Sequence, residues 1–112
     1  MNRSHLTFLT ILLLSAGQVC AEEALVSKGR EVYQLWCAPC HAPGANHPGT
    51  NALAAKYKGE IPPALEQRPG LTYEFIAQYV RHGVSIMPFF RKTEISDEDL
   101  QAIAAYLGRD NK

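Results

Sequence analysis

Amphipathic helices are the main pattern of the chain, and the clearest of them covers residues 71–83. Apolar side chains recur there at helical spacing, as Phe75, Ile76, Tyr79 and Val80. Thr72 is placed to cap the helix, with Leu71 and Ile76 at the positions of a hydrophobic staple. Gly83 follows as the terminating residue. This pattern predicts a helix with one buried stripe.

A second amphipathic helix is predicted at the C-terminal end. Ser96 precedes three acidic residues, which is a cap followed by charges that suit the positive end of the helix dipole. One face carries Leu100, Ile103, Ala104 and Leu107, and Gly108 ends the pattern. Between the two helices, residues 84–94 have no helical period, so we predict an irregular segment there.

An earlier helix is predicted over residues 22–36. Good helix formers fill this stretch, and Leu25, Val32, Leu35 and Trp36 follow a three-to-four spacing. Gly29 lies inside it, at a cost of roughly 1 kcal/mol relative to Ala. A glycine at this position marks either a tolerated defect or a close helix crossing.

The stretch between these helices is predicted to hold loops and short turns. Proline, glycine and asparagine make residues 41–49 a loop. Thr50 is placed to cap a short helix that ends at Gly59, and the pair Pro62 and Pro63 is placed to open a brief turn. Because no segment has a strand pattern, we predict an all-α domain.

The first 21 residues have the layout of a secretory signal peptide. Arg3 precedes an apolar run over residues 6–16, and small residues around Cys20 offer a cleavage site before Glu22. We expect Cys20 to be discarded rather than lipid-modified, although an uncleaved anchor stays open as an alternative. The apolar run is shorter than the roughly 20 residues that a membrane-spanning helix needs, so we do not predict a membrane span.

Removing the first 21 of the 112 residues leaves one domain of 91 residues, numbered 22–112. Arg3 is the only Lys, Arg, Asp or Glu removed, so ten Lys and Arg face eleven Asp and Glu. No charge excess points to nucleic acid. A domain this small has a modest core, so a covalent cross-link would add stability. The two cysteines outside the predicted signal peptide are Cys37 and Cys40.

Those cysteines belong to the motif Cys37-Ala38-Pro39-Cys40-His41. Residues three and four apart share one face of a helical turn, so two sulfurs and an imidazole can converge on one flat ligand. Cys-x-x-Cys-His is the attachment pattern of c-type haem. Each thiol adds to one haem vinyl group, and the histidine is positioned to bind the iron.

Two alternatives compete with haem attachment. Trp36-Cys37-Ala38-Pro39-Cys40 also resembles the redox turn of thioredoxin-like thiol oxidoreductases, but no strand precedes it and His41 has no role there. A zinc site could use Cys37, Cys40, His41 and His47, but the spacing fits no common finger. Haem attachment explains every position of the motif.

An iron bound by His41 alone would have an open sixth position. Met87 is the one methionine outside the predicted signal peptide, in an irregular segment between two helices and followed by a proline. His47 is close in sequence to His41, and His82 fits a helix C-terminus. Met87 is therefore the predicted second ligand. An iron with both axial positions filled favours electron transfer over catalysis at the metal.

Residues 25–108 resemble a small class I cytochrome c. This resemblance implies a fold in which N- and C-terminal helices cross and four to five helices surround one covalent haem c. It implies His41 and Met87 as iron ligands, and a contact of Gly29 with Tyr106. The family often has a Gly-Pro-x-Leu segment after the motif. This chain has residues 47–53 instead, so we expect a backbone carbonyl near Pro48 to hold the His41 ring.

A narrower resemblance is to the cytochrome subunits of flavocytochrome phenol hydroxylases, of the p-cresol methylhydroxylase and eugenol hydroxylase type. It rests on residues 81–92, RHGVSIMPFFRK. It implies a periplasmic electron-transfer subunit, not itself catalytic, that receives single electrons from a flavoprotein oxidising a 4-alkylphenol. An azurin-like protein, another cytochrome or an oxidase would accept them. A free shuttle for another dehydrogenase or a terminal oxidase stays open as an alternative.

Docking of such a partner is expected around residues 87–90. Arg81, Arg91 and Lys92 are predicted to stand at the rim of that surface, unless they simply form a solvated face.

Overall fold

The computed structural model describes residues 3–109, with side chains from residue 17 onward, and this part of the chain is helical. In chain order, the helices are α1 Arg3–Trp36, α2 Ala38–His41, α3 Pro48–Tyr57, a 3₁₀ turn Leu65–Gln67, α4 Tyr73–His82 and α5 Asp97–Gly108. Over the described residues, strand-like pairing is limited to one bridge between Val84 and Met87. The predicted all-α class with four to five helices is confirmed.

Helix α1 passes through the predicted cleavage point after residue 21 without a break. Removal of residues 1–21 stays a prediction. Within the described residues, none of the helices has the length and apolar content needed to cross a membrane.

The first and last helices cross at Gly29. A Cβ atom on Gly29 would overlap the backbone carbonyl of Ala102 and lie 2.9 Å from Cβ of Tyr106. The rings of Tyr33 and Tyr106 pack beside this point with centroids 5.5 Å apart. At the edge of the crossing, Lys28 forms an ion pair with Asp99 at 2.9 Å. The predicted crossing, and the role of glycine in it, are confirmed.

Helices α4 and α5 begin where the capping residues predict. The Thr72 hydroxyl accepts a hydrogen bond from the Phe75 amide at 3.3 Å, and that of Ser96 accepts one from the Asp99 amide at 3.0 Å. Gly83 ends α4 with a φ of 68°, which is costly for residues with a side chain. These helices and α1 enclose the core: Tyr33, Ala38, Leu71, Ile76, Val80, Ile95, Leu100, Ile103, Tyr106 and Leu107.

Helix α3 begins two residues before the predicted cap. His47 occupies the N-cap position and Pro48 is the first helical residue, where its fixed φ suits a helix start. Thr50 is buried and donates from its hydroxyl to the Ala42 carbonyl at 2.9 Å. The prediction that Thr50 caps α3 is therefore wrong, because its hydroxyl bonds to the preceding loop. The helix ends at Tyr57 rather than Gly59, with Lys58 in the left-handed region.

Candidate cofactor site

A cavity of about 390 Å³ lies between the motif turn, α3, α4 and the segment that follows α4. Its walls are almost entirely apolar. Cys37, Cys40, His41 and Met87, the four residues predicted to hold haem, all line it. The structure therefore brings together residues that are up to 50 positions apart in the sequence.

The motif forms a single helical turn directly after α1. The Cys37 amide still donates to the Tyr33 carbonyl at 2.8 Å, as a continuation of that helix. The Cys37 carbonyl then accepts from the amides of Cys40 at 3.1 Å and His41 at 2.9 Å. Pro39, near the start of this turn, has no amide hydrogen to leave unsatisfied. These bonds set the two cysteines and the histidine at one wall of the cavity.

Gly49 determines where the His41 ring lies. A Cβ atom on Gly49 would be 2.7 Å from Cε1 and 2.9 Å from Nδ1 of that ring, so a side chain there would displace it. The buried Nδ1 atom has no hydrogen-bond partner among the described residues. The expected bond from the ring to a carbonyl near Pro48 is therefore wrong, because the backbone of Gly49 packs on Nδ1. The other ring nitrogen, Nε2, is left as the candidate ligand atom.

Burial keeps the imidazole in the form that a metal requires. Desolvation lowers the pKa of His41, and the nearby Arg68 cation lowers it further. Neutral imidazole is the ligand species, so both effects favour metal binding. The His41 carbonyl also accepts a hydrogen bond from the Tyr33 hydroxyl at 3.2 Å, which fixes the backbone of the motif to α1.

Met87 is presented by a tight turn that follows α4. The amide of Val84 donates to the Met87 carbonyl at 3.1 Å, and the amide of Met87 donates back at 2.9 Å. Ser85, in between, has a φ of 54°. A Cβ atom on Gly83 would lie 2.6 Å from the Met87 carbonyl oxygen. A glycine is therefore needed both to end the helix and to let this turn fold back.

Arg81 holds the methionine segment against α5. Its guanidinium donates to the carbonyls of Phe90 at 3.1 Å and Ile95 at 2.9 Å, and to the carboxylate of Asp97 at 2.9 Å. The side chain is only 18% exposed. The prediction that Arg81 stands at the rim of a docking surface is therefore wrong, because its donors are used inside the protein. Arg91 and Lys92 are both exposed.

The other two candidate axial ligands lie away from the cavity. His47 Nδ1 is 3.0 Å from the Pro39 carbonyl oxygen, and His82 Nδ1 is 2.8 Å from that of Gln78. Both hydrogen bonds are exposed to solvent, and neither side chain lines the cavity. Of the three candidates for the second axial ligand, Met87 is the one that lines the cavity.

Neither alternative for the cysteines fits the geometry. The described part of the chain, residues 3–109, forms no sheet of the kind that a thioredoxin-like fold requires. Burial also raises the pKa of Cys37 to about 12, which disfavours the reactive thiolate. Among the side chains that the structure describes, those of residues 17–109, no three His, Cys, Asp or Glu are grouped to hold a metal ion. The proposed zinc ligands do not assemble, since His47 is bonded to Pro39.

One further cavity residue, Arg68, could not be predicted from the sequence. It follows the 3₁₀ turn, is 8% exposed and lines the cavity with its Nε atom unpaired. An isolated arginine before a proline has no pattern that predicts burial.

The donor set fits haem. Two sulfurs and an imidazole on one turn match the attachment chemistry, a thioether suits the second axial position, and the apolar walls suit a macrocycle. A buried cation at the same cavity suits the acidic edge of that macrocycle.

Comparison with known proteins agrees with this donor set. A family model described as cytochrome C oxidase, cbb3-type, subunit III matches residues 24–107. The 4-cresol dehydrogenase (hydroxylating) cytochrome c subunit of Pseudomonas putida is 33% identical over 96 residues, or 86% of this chain and 71% of the relative. Cytochrome c6 of Cyanidioschyzon merolae is 30% identical over 105 residues, or 94% of this chain and 91% of the relative.

No solved structure gives a significant match. The family model nevertheless spans both crossing helices, the motif turn and the Met87 segment. Membership of this family implies a covalently bound haem c. The chain therefore belongs to the class I c-type cytochromes, which are electron carriers.

Proposed function

We propose that Cys37 and Cys40 carry one haem c through two thioether bonds, and that His41 and Met87 are its axial ligands. In each thioether, the S–H bond adds across a vinyl double bond, so no oxidant is needed. The observation that carries the assignment is that all four side chains line one apolar cavity. The neutral, buried imidazole of His41 supports it.

When bound, the haem supplies one-electron chemistry between Fe(II) and Fe(III). Methionine is a soft, neutral ligand that stabilises Fe(II), so it raises the reduction potential relative to a second histidine. With both axial positions held by the chain, no site remains for a substrate. The edge-on packing of Trp36 on Phe90, with ring centroids 5.8 Å apart, closes part of the cavity wall and excludes water.

Visible spectra of the holo protein, matured in a periplasm, test the ligands. We expect haem that survives denaturing electrophoresis and a reduced spectrum typical of histidine and methionine ligation. Met87→Ala should lose the methionine signature. His47→Ala and His82→Ala are matched controls that should keep it, because both side chains lie outside the cavity. An unaltered spectrum in Met87→Ala would show that another residue is the ligand.

We further propose that the protein works in the periplasm, after removal of residues 1–21, as the acceptor for an FAD-containing dehydrogenase that acts on 4-alkylphenols such as p-cresol or eugenol. The similarity to the Pseudomonas putida cytochrome subunit supports this partner. Ile86 and Phe89 are 76% and 61% exposed beside the cavity and offer an apolar contact, with Arg91 and Lys92 nearby. An azurin-like protein, a second cytochrome or an oxidase would take the electron onward.

Stopped-flow spectroscopy tests the partner directly. The flavoprotein subunit of a 4-cresol dehydrogenase, reduced with 4-cresol, is mixed with the oxidised holo protein, and haem reduction is followed. Saturable reduction and copurification of the two proteins are expected. Reduction that stays second-order, without a stable complex, would exclude a dedicated subunit.

A free shuttle is the second candidate function. Three of the relatives are cytochromes c6, and that of Cyanidioschyzon merolae is matched over nearly its whole length. Their similarity favours a carrier that forms no lasting complex. The copurification experiment separates the two functions.

A further inference from the structure

The turn that carries Met87 has a backbone conformation that disfavours side chains. Val84 and Met87 exchange two backbone hydrogen bonds, so Ser85 and Ile86 are the central residues of a tight turn. Ser85 has a φ of 54°, in the left-handed region. In the described part of the chain, Lys58 is the only other non-glycine residue with a positive φ. A turn with a positive φ at its first central residue alone is of type II′, which prefers glycine there.

Burial of side chains does not hold this turn closed. Val84 is 53% exposed and Ile86 is 76% exposed, and Ser85 is exposed as well. A strained backbone conformation persists only where its surroundings impose it. These three side chains bury too little surface to do so, and the constraint therefore comes from the residues on either side of the turn.

Both ends of the segment are fixed to α4. Gly83 ends the helix, and a Cβ atom there would lie 2.6 Å from the Met87 carbonyl oxygen, so the chain folds back closely on itself. At the other end, the Phe90 amide donates to the Val80 carbonyl at 2.7 Å. Residues 84–89 therefore close a short loop, and Met87 lines the cavity from it.

We propose that Ser85 is a positioning residue that sets how firmly Met87 is held as an axial ligand. The inference rests on the proposed function. While Met87 occupies its axial position, the turn stays closed and Ser85 keeps its positive φ. When Met87 leaves, the exposed turn opens and Ser85 returns to a negative φ, so relief of the strain favours release. The chain therefore holds its methionine less tightly than the Ser85→Gly variant would.

Competition with imidazole measures how firmly Met87 is held. Imidazole displaces Met87 in the ferric holo protein, and its binding is followed as loss of the methionine signature from the visible spectrum. We expect its apparent association constant to fall about threefold in Ser85→Gly, because glycine adopts a positive φ without the cost that a side chain meets. In Ser85→Val it should rise about tenfold, because a positive φ is strongly disfavoured for a β-branched residue.

Two matched variants separate the turn from other effects. Ser85→Ala removes the hydroxyl but keeps the backbone cost, so its imidazole constant should equal that of wild type. Lys58→Gly relieves the other positive φ, 49° at the end of α3, at a residue that does not line the cavity. It should raise the Tm of the holo protein and leave the imidazole constant unchanged.

The proposal and the proposed function fail in different ways. Equal imidazole constants in wild type and Ser85→Gly would overturn the role of Ser85, and so would a threefold fall in Ser85→Ala or Lys58→Gly. If Ser85→Val yields no holo protein, Ser85→Gly carries the test, because glycine adopts either sign of φ. A wild-type holo protein that lacks the methionine signature before imidazole is added would instead overturn the proposed function.

Discussion

Gly29→Ala tests the contact on which the fold depends. An alanine at this position adds one methyl group between α1 and α5, where the Ala102 carbonyl already occupies the space. This obstacle is backbone, so no side-chain rotation can relieve the overlap. The helices must move apart, which separates Tyr33 from Tyr106.

Two opposing terms set the size of the effect. Alanine is a better helix former than glycine by roughly 1 kcal/mol, which favours the variant. Overpacking a core costs about 1 to 3 kcal/mol and occasionally more, and an overlap with rigid backbone belongs at the upper end. The displaced residues are among the most buried of the chain: Tyr33 is 0%, Ile103 1% and Tyr106 3% exposed. We therefore expect a net loss of about 2 kcal/mol.

Thermal unfolding of the holo protein measures this loss. For a domain of this size, about 2 kcal/mol corresponds to a fall in Tm of roughly 8 to 16 °C. Gly108→Ala is the matched control: Gly108 is also helical, but a Cβ atom there meets nothing within 4 Å. The control should be neutral or slightly stabilised. A Gly29→Ala protein with the Tm of its control would refute the close crossing.

Three further tests probe the start of α5 and the surface near Met87. Ser96→Ala removes the cap of α5 and should cost about 1 kcal/mol in urea unfolding, whereas Ser96→Thr should keep most of it. Lys92, and then Arg81, hold the pKa of Asp97 below its ordinary value of 3.8, so the carboxylate stabilises the fold above that pH and loses this effect as the pH falls through its lowered pKa. Asp97→Asn should lower stability at neutral pH and flatten this acid-side loss, and an unchanged pH profile would contradict the pairing. Arg91→Glu combined with Lys92→Glu should slow electron transfer from the flavoprotein and reduce its salt dependence, and an unchanged rate would remove these cations from the docking surface.

Local patterns were sufficient to predict most of the fold. The capping residues of α4 and α5 act through hydrogen bonds to amides three positions away, so their effect is visible in the sequence around them. The same is true of the motif turn, where one helical turn aligns Cys37 with His41. Met87 could be proposed because it is the one methionine outside the predicted signal peptide, and the structure places it on the cavity that Cys37, Cys40 and His41 line.

The predictions that failed involve contacts between segments. Thr50 has the residue type of a cap, but its hydroxyl reaches the Ala42 carbonyl, which only the folded loop brings near. Arg81 has the position of a cation at a helix end, but its donors reach Ile95 and Asp97, 14 and 16 residues further on. In both cases the side chain forms its hydrogen bonds with residues that are distant in the sequence, and not with the neighbouring backbone that the local pattern suggests.

The same reasoning explains why Arg68 was not predicted to line the cavity. The attachment motif and the axial methionine are recognisable because their chemistry demands particular residue types. The burial of an arginine imposes no such requirement on its neighbours in the sequence. Nothing local distinguishes Arg68 from the exposed Arg91. What distinguishes them is that the turn after Leu65 directs Arg68 toward Tyr57 and away from carboxylates, whereas Arg91 is paired with Glu94. The burial of Arg68 at the cavity is therefore visible only once the fold has brought the cavity walls together.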